Sequence, residues 1–174
     1  FNVAMGYYAL RGEDPRSTRS LAINNVAIGF EAMRFGDYSF NPPNVGRSGN
    51  VAIGYQAMRG TSGNSTSNFN VSLGAATLNT YTTASQNVAI GYDCLSNIDE
   101  SYGNVAIGFQ ALESATNSPF YNVVLGYGAD MVTSSDTGNL FGIAIGYEAK
   151  FNGENSIAIG KSVSAKGANQ ITIG

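Results

Sequence analysis

The sequence predicts an all-β fold, a parallel β-roll or β-solenoid of about ten short coils carrying loop insertions. Three observations predict it. The phrase Asn-Val-Ala-Ile-Gly-Tyr-x-Ala recurs from end to end of the 174-residue chain. Its side chains alternate bulky and small with period two, the signature of a strand. The shortest unit, 14 residues between successive phrase glycines, has room for two short strands and two turns but not for a helix.

Taken in order, the copies are FNVAMGYYAL, NNVAIGFEAM, GNVAIGYQAM, FNVSLGAATL, QNVAIGYDCL, GNVAIGFQAL, YNVVLGYGAD, FGIAIGYEAK, NSIAIGKSVS and NQITIG. Their glycines are Gly6, Gly29, Gly54, Gly74, Gly91, Gly108, Gly126, Gly146, Gly160 and Gly174. Each copy reads as one strand. Val51, Ile53, Tyr55 and Ala57 should project from one face, and Asn50, Ala52, Gly54 and Gln56 from the other. Gly inside a strand marks close approach of another backbone. The recurrent Asn2, Asn25, Asn50, Asn70, Asn87, Asn104 and Asn122 should stack as a hydrogen-bonded ladder. In the last units SIAIG is followed by the second alternating run SVSA, with Gly153 and Gly167 as turn residues. The spacing divides the single repeat segment into loop-decorated coils at 1–70, intermediate coils at 71–142 and minimal coils at 143–174.

Coils stacked at the ~4.8 Å strand spacing give a rod of roughly 48 Å. A 14-residue coil encloses little volume, so Val, Ile and Tyr side chains remain on an outer face unless another chain covers them. Identical copies around a three-fold axis would cover them. Alternation alone leaves open which face lines the interior.

Composition narrows the function. There is no His, only 12% of residues are charged, and 22 are Gly. The commonest general base and zinc ligand is therefore missing. Acidic residues do not recur at a fixed place in the unit, so no calcium roll is expected. The protein is not expected to be an enzyme or to hold a cofactor. A net charge of −3 gives no footprint for nucleic acid, and no apolar run is long enough for membrane insertion. All six Arg lie before residue 60 against four acids, a balance of +2; beyond it three Lys meet eight acids, or −5. The single Cys94 replaces a repeat Ala and should be a buried filler. Phe1 opens the chain without an initiator Met or signal peptide, which predicts a piece of a longer protein.

The run NSIAIGKSVSAKGANQITIG resembles the 14-residue head repeat of YadA-like trimeric autotransporter adhesins. The longer copies, such as GNVAIGYQAM and QNVAIGYDCL with their Ser/Thr/Asn-rich linkers, are similar to repeats of phage-type tail fibres. The resemblance implies a left-handed, homotrimeric parallel β-roll on a virion or in the extracellular space. Its implied partners are other copies of itself, other fibre or baseplate proteins, and a cell-surface glycan or protein receptor. Alternatives are an adhesin head on a bacterial surface and a fibre with polysaccharide depolymerase activity. Insertions of up to eleven residues over the 14-residue unit depart from the compact adhesin head.

Those insertions leave the roll at one corner, where solenoids carry binding loops. The largest are Arg11–Ile23, Arg34–Ser48 and Arg59–Phe69, with a fourth at Met131–Phe141. In Arg34–Ser48, Phe35, Tyr38 and Phe40 stand beside Pro42 and Pro43, with Arg34 and Arg47 near its ends. Aromatic faces with guanidinium groups suit a sugar, acidic glycan or protein ligand, and attachment is expected at these N-terminal loops. Asn64-Ser-Thr and Asn70-Val-Ser match the glycosylation sequon.

Overall fold

A computed structural model describes residues 1–11, 21–34, 46–60, 66–79, 83–98, 100–113, 119–132 and 141–174. In chain order its strands are β1 (Val3–Met5), β2 (Leu21–Ile23), β3 (Val26–Ile28), β4 (Gly46–Ser48), β5 (Val51–Ile53), β6 (Thr66–Asn68), β7 (Val71–Leu73), β8 (Thr83–Ser85), β9 (Val88–Ile90), β10 (Glu100–Tyr102), β11 (Val105–Ile107), β12 (Val123–Leu125), β13 (Asp130–Met131), β14 (Ile143–Ile145), β15 (Lys150–Phe151), β16 (Ile157–Ile159), β17 (Ser164–Ala165) and β18 (Ile171–Ile173). Among the described residues there is no helix. The chain is an all-β parallel solenoid.

The phrase strands β1, β3, β5, β7, β9, β11, β12, β14, β16 and β18 form one ten-stranded parallel sheet, the phrase sheet. Its register puts like on like: Val51 faces Val26 and Val71, and Ile53 faces Ile28 and Leu73. A second, five-stranded wall is built from β2, β4, β6, β8 and β10, and a third, three-stranded one from β13, β15 and β17. The chain reaches the phrase sheet from the five-stranded wall through a corner two residues long. In later coils it leaves the phrase sheet to form the three-stranded wall.

The interior settles which face is inside. Ala27, Ala52, Ser72, Ala89, Ala106, Val124, Ala144 and Ala158 point inward and are fully buried. Small side chains are required there because the walls of so narrow a coil nearly touch. Met33, Met58, Leu78, Leu95 and Leu112 belong to the same core and are also fully buried. The bulky Val/Ile positions therefore face outward.

Two expectations are corrected. Ala57 does not join Val51, Ile53 and Tyr55 on the outer face but is buried in the core. Gln56 (φ 53°) and Met58 (φ 55°) are left-handed, so strict alternation stops at Gly54 and the chain turns inward. Arg34–Ser48 is also not a loop throughout, since Gly46–Ser48 is strand β4. Leu21–Ile23 and Thr66–Asn68 likewise close the first and third insertions as strands.

The phrase glycines hold the tightest contact of the stack. Gly54 has φ 137°, and a Cβ there would collide with the Gly74 carbonyl of the next coil. Only Gly meets both the steric and the backbone requirement.

Candidate functional site

Three features of the surface and corners bear on function: the outward face of the phrase sheet, the N-terminal charge cluster, and the asparagine corner.

The outward face is apolar along the sheet. Ile53 and Ile107 remain 38% and 39% exposed, and beside them Tyr55 and Tyr92 are about half exposed. The residue after each phrase glycine stacks on its neighbours. Tyr7, Phe30 and Tyr55 form one run with centroids 5.4 Å apart at both steps. Tyr92, Phe109, Tyr127 and Tyr147 form a second, at 5.2, 4.9 and 5.3 Å. Ala75 separates the two runs. The rings stack face to face because the parallel register repeats their position at each coil, so both faces of the inner rings are occupied and only edges meet solvent. The neighbouring Glu148 carboxylate pushes the Tyr147 phenol above its ordinary value.

At the N-terminal end Glu31 organises the described arginines. Its buried carboxylate accepts from Arg34 Nη1 at 2.6 Å and from Gln56 Nε2 at 2.9 Å, and Arg59 Nε lies 3.6 Å away. Arg11 sits over the Tyr8 ring at 4.0 Å, with Arg34 at 5.7 Å. The Tyr7 hydroxyl, aided by Arg11, holds the Tyr8 phenol below its ordinary value, and Tyr8 pushes Tyr7 above it. Arg34, the first of the expected ligand contacts, is therefore committed to an intramolecular ion pair. Arg47 is 3% exposed in β4, beneath the surface rather than on it. Phe35, Tyr38 and Phe40 lie outside the described residues, as do Arg16, Arg19 and Asn64.

The asparagine ladder is present as expected. Asn50 Oδ1 accepts from the backbone N–H and the Nδ2 of Asn70, both at 3.0 Å. Asn50 Nδ2 in turn donates to Asn25 Oδ1 at 3.0 Å and to the Ser67 carbonyl at 2.8 Å. Each rung thus ties its own coil to the one before and the one after, and the pattern runs through Asn87, Asn104 and Asn122. It stops at Gly142, whose N–H takes Asn122 Oδ1 at 2.7 Å. There the buried Phe151 ring fills the space a side chain would need. Asn70, a rung with no exposure, is not placed to accept a glycan.

Cys94 is buried, its Sγ 3.1 Å from the Ala106 carbonyl, and burial pushes its thiol up to about 12. Among the described residues no group of three or more His, Cys, Asp or Glu side chains converges to hold a metal ion. No helix among them is long and apolar enough to cross a membrane. Comparison of the chain with protein-family models, with curated proteins and with solved structures finds no match.

Tyr stands with Val and Ile on the outer face, as so narrow a coil requires. Residue order does not show that the rings stack, although an aromatic residue follows most of the phrase glycines, because stacking depends on the in-register pairing of successive coils.

Proposed function

We propose that the chain is a non-enzymatic segment of a homotrimeric fibre of the phage tail-fibre type, a left-handed roll of ten coils that attaches to a cell surface. The carrying observation is the exposed apolar face of the phrase sheet, with Ile53, Ile107 and the stacked rings along it. A contiguous apolar surface of this length is a place for a partner. Identical coils on identical copies supply a matching surface, and a three-fold arrangement covers it on every chain. Counting one coil per phrase gives ten, and the resemblance of NSIAIGKSVSAKG to adhesin head repeats supplies the hand and the number of copies.

This reading puts the protein in the extracellular space or on the virion, joined to other fibre or baseplate proteins, with a surface glycan or protein as receptor. Mass determination of the purified chain at micromolar concentration tests the assembly. A trimer is expected; a stable monomer overturns the proposal. Retention of the protein on intact host cells tests attachment.

A further inference from the structure

The five-stranded wall ends with β10 and the three-stranded wall begins at Asp130, and beside the latter a polar groove of about 640 Å³ opens. Its origin lies in one column of the repeat. Four residues after the phrase glycine, earlier coils carry the buried Met58, Leu78, Leu95 and Leu112. The next three coils carry Asp130, Lys150 and Ser164 at that position, paired in register in the three-stranded wall. The core contact moves one place on, to the buried Met131, Phe151 and Ala165.

The facing column, two residues after the glycine, holds Gln110, Gly128, Glu148 and Ser162. Gly128 has no side chain, and even an added Cβ would meet only Glu148 Cγ, at 3.5 Å. A slot is left between Gln110 and Glu148. Glu113 and Tyr127 belong to the same lining.

The lining constrains the ligand. Two accessible carboxylates (Glu113, Glu148) meet one ammonium (Lys150), a net of −1, and the buried Asp130 carboxylate beneath them, which accepts from the Met131 N–H at 2.8 Å, adds to the negative field; this disfavours phosphate and acidic sugars and favours a cationic group. Glu113 Oε1 accepts from Asn97 at 3.3 Å and Glu148 Oε2 from Ser162 at 3.4 Å. An ionised carboxylate has about four acceptor sites, so both retain capacity for a ligand. The volume falls within the ~300–1,000 Å³ of small-molecule clefts. Both faces of Tyr127 are taken by Phe109 and Tyr147, so no open aromatic face is offered to a ligand and Val163 is the one aliphatic side chain in the lining. Polar side chains repeat at the ~4.8 Å coil step, a step of the order of one pyranose unit in an extended polysaccharide. A repeating polymer fits a repeating wall.

We propose that this groove binds an amine-bearing saccharide. A sugar ammonium pairs with Glu113 or Glu148, and the hydroxyls exchange hydrogen bonds with Gln110, Lys150, Ser162 and Ser164. The inference rests on the attachment reading above and moves the contact away from the N-terminal loops.

Calorimetry with the intact chain and oligomers of glucosamine is the test, beside their N-acetylated counterparts, a uronic acid oligomer and a lysine-rich peptide. Glucosamine oligomers should bind at least tenfold more tightly than any of the other three. The variant E113Q/E148Q should lower that affinity at least tenfold at an unchanged melting temperature, and the groove-filling Ser164→Tyr should do the same. No binding of glucosamine oligomers, equal or tighter binding of any of the other probes, or wild-type affinity in a folded variant overturns the proposal. Cell retention separates the two readings. Cells held equally by wild type and folded variants remove the groove from attachment while leaving attachment standing, whereas oligomer binding without cell retention keeps the groove and overturns attachment.

Discussion

Cys94 and the pair Ser72/Thr77 occupy positions that are Ala in most other coils, and each shows what the narrow interior tolerates. The thiol stays protonated in the fold up to about pH 12, whereas in an unfolded chain it ionises near its ordinary value of 9.0. The unfolded state therefore loses a proton first, and the thiol's contribution is intact below pH 9 and falls between pH 9 and 12. Thermal melts at pH 8 and pH 11 should show an alkaline loss of stability for wild type that is smaller in Cys94→Ala. In the fourth phrase two polar substitutions answer each other: Ser72 Oγ and Thr77 Oγ1 lie 2.6 Å apart, and Ser72 also donates to the Thr77 carbonyl at 3.0 Å. Removing one hydroxyl loses the side-chain pair but leaves the other a main-chain acceptor, the residue-77 carbonyl for Ser72 and the Gly74 carbonyl, at 3.2 Å, for Thr77, while replacing both restores the apolar pattern. Denaturant titration should find Ser72→Ala or Thr77→Ala alone destabilising by about 0.5–1.5 kcal/mol and the double Ala variant closer to wild type.

At the scale of the element, hydrogen bonds between coils outweigh local preference. Phe69 (φ 57°) and Tyr121 (φ 57°) adopt left-handed backbone at the corner before the ladder asparagine, at a cost of order 1–3 kcal/mol each. Each corner N–H is held by the coil below, as Phe69 is by the Ser48 carbonyl at 2.8 Å. The Phe69 ring also covers Gly49, where a Cβ would lie 2.7 Å from it. Asn87 should be a sensitive rung. Its amide binds Asn70, Asn104 and the side chain and carbonyl of Ser101, so Asn87→Ala leaves several buried groups unpaired and should cost about 3 kcal/mol or more. The exposed Asn2→Ala should cost under about 1 kcal/mol; paired melting curves check the contrast. The phrase strands were legible because VAI and IAI alternate at period two, and the ladder because Asn recurs at a fixed offset. The walls formed by GRS, TSN, TAS and ESY were not, because such triplets carry no apolar period and become strands through pairing with adjacent coils. Ala57 was misread for a related reason: a left-handed residue resets the alternation, and Gln56 gives no local sign of it. The groove was hidden because the exchange of Leu112 for Asp130 at one column has meaning only once that column is known to face the core.

For the molecule as a whole, the outward face and the insertions make separable predictions. Ile53→Glu with Ile107→Glu places charges on the exposed apolar face without touching the Ala-lined interior. The double variant should keep its β circular dichroism and, where wild type forms the proposed trimer, run as a monomer in mass determination; an intact trimer would place the interface elsewhere. Excising 35–45 to a short turn spares both the Arg34–Glu31 pair and strand β4, so the coils should remain folded with a melting temperature within a few degrees of wild type, since shortening a loop lowers its closure entropy. Cell retention that survives this excision would remove Phe35, Tyr38 and Phe40 from any receptor contact. The direction of the hydrogen bonds has a mechanical corollary. They run along the stacking axis, from Gly29 to Met5 and from Gly54 to Ile28, each at 2.8 Å, and so lie parallel to a load applied through the ends. A lone chain under tension gives way one coil at a time from its end, and each 14-residue coil frees roughly 45–50 Å of slack. Lateral contact of the kind proposed for the trimer would convert such a stack from an unwinding spool into a stiff strut.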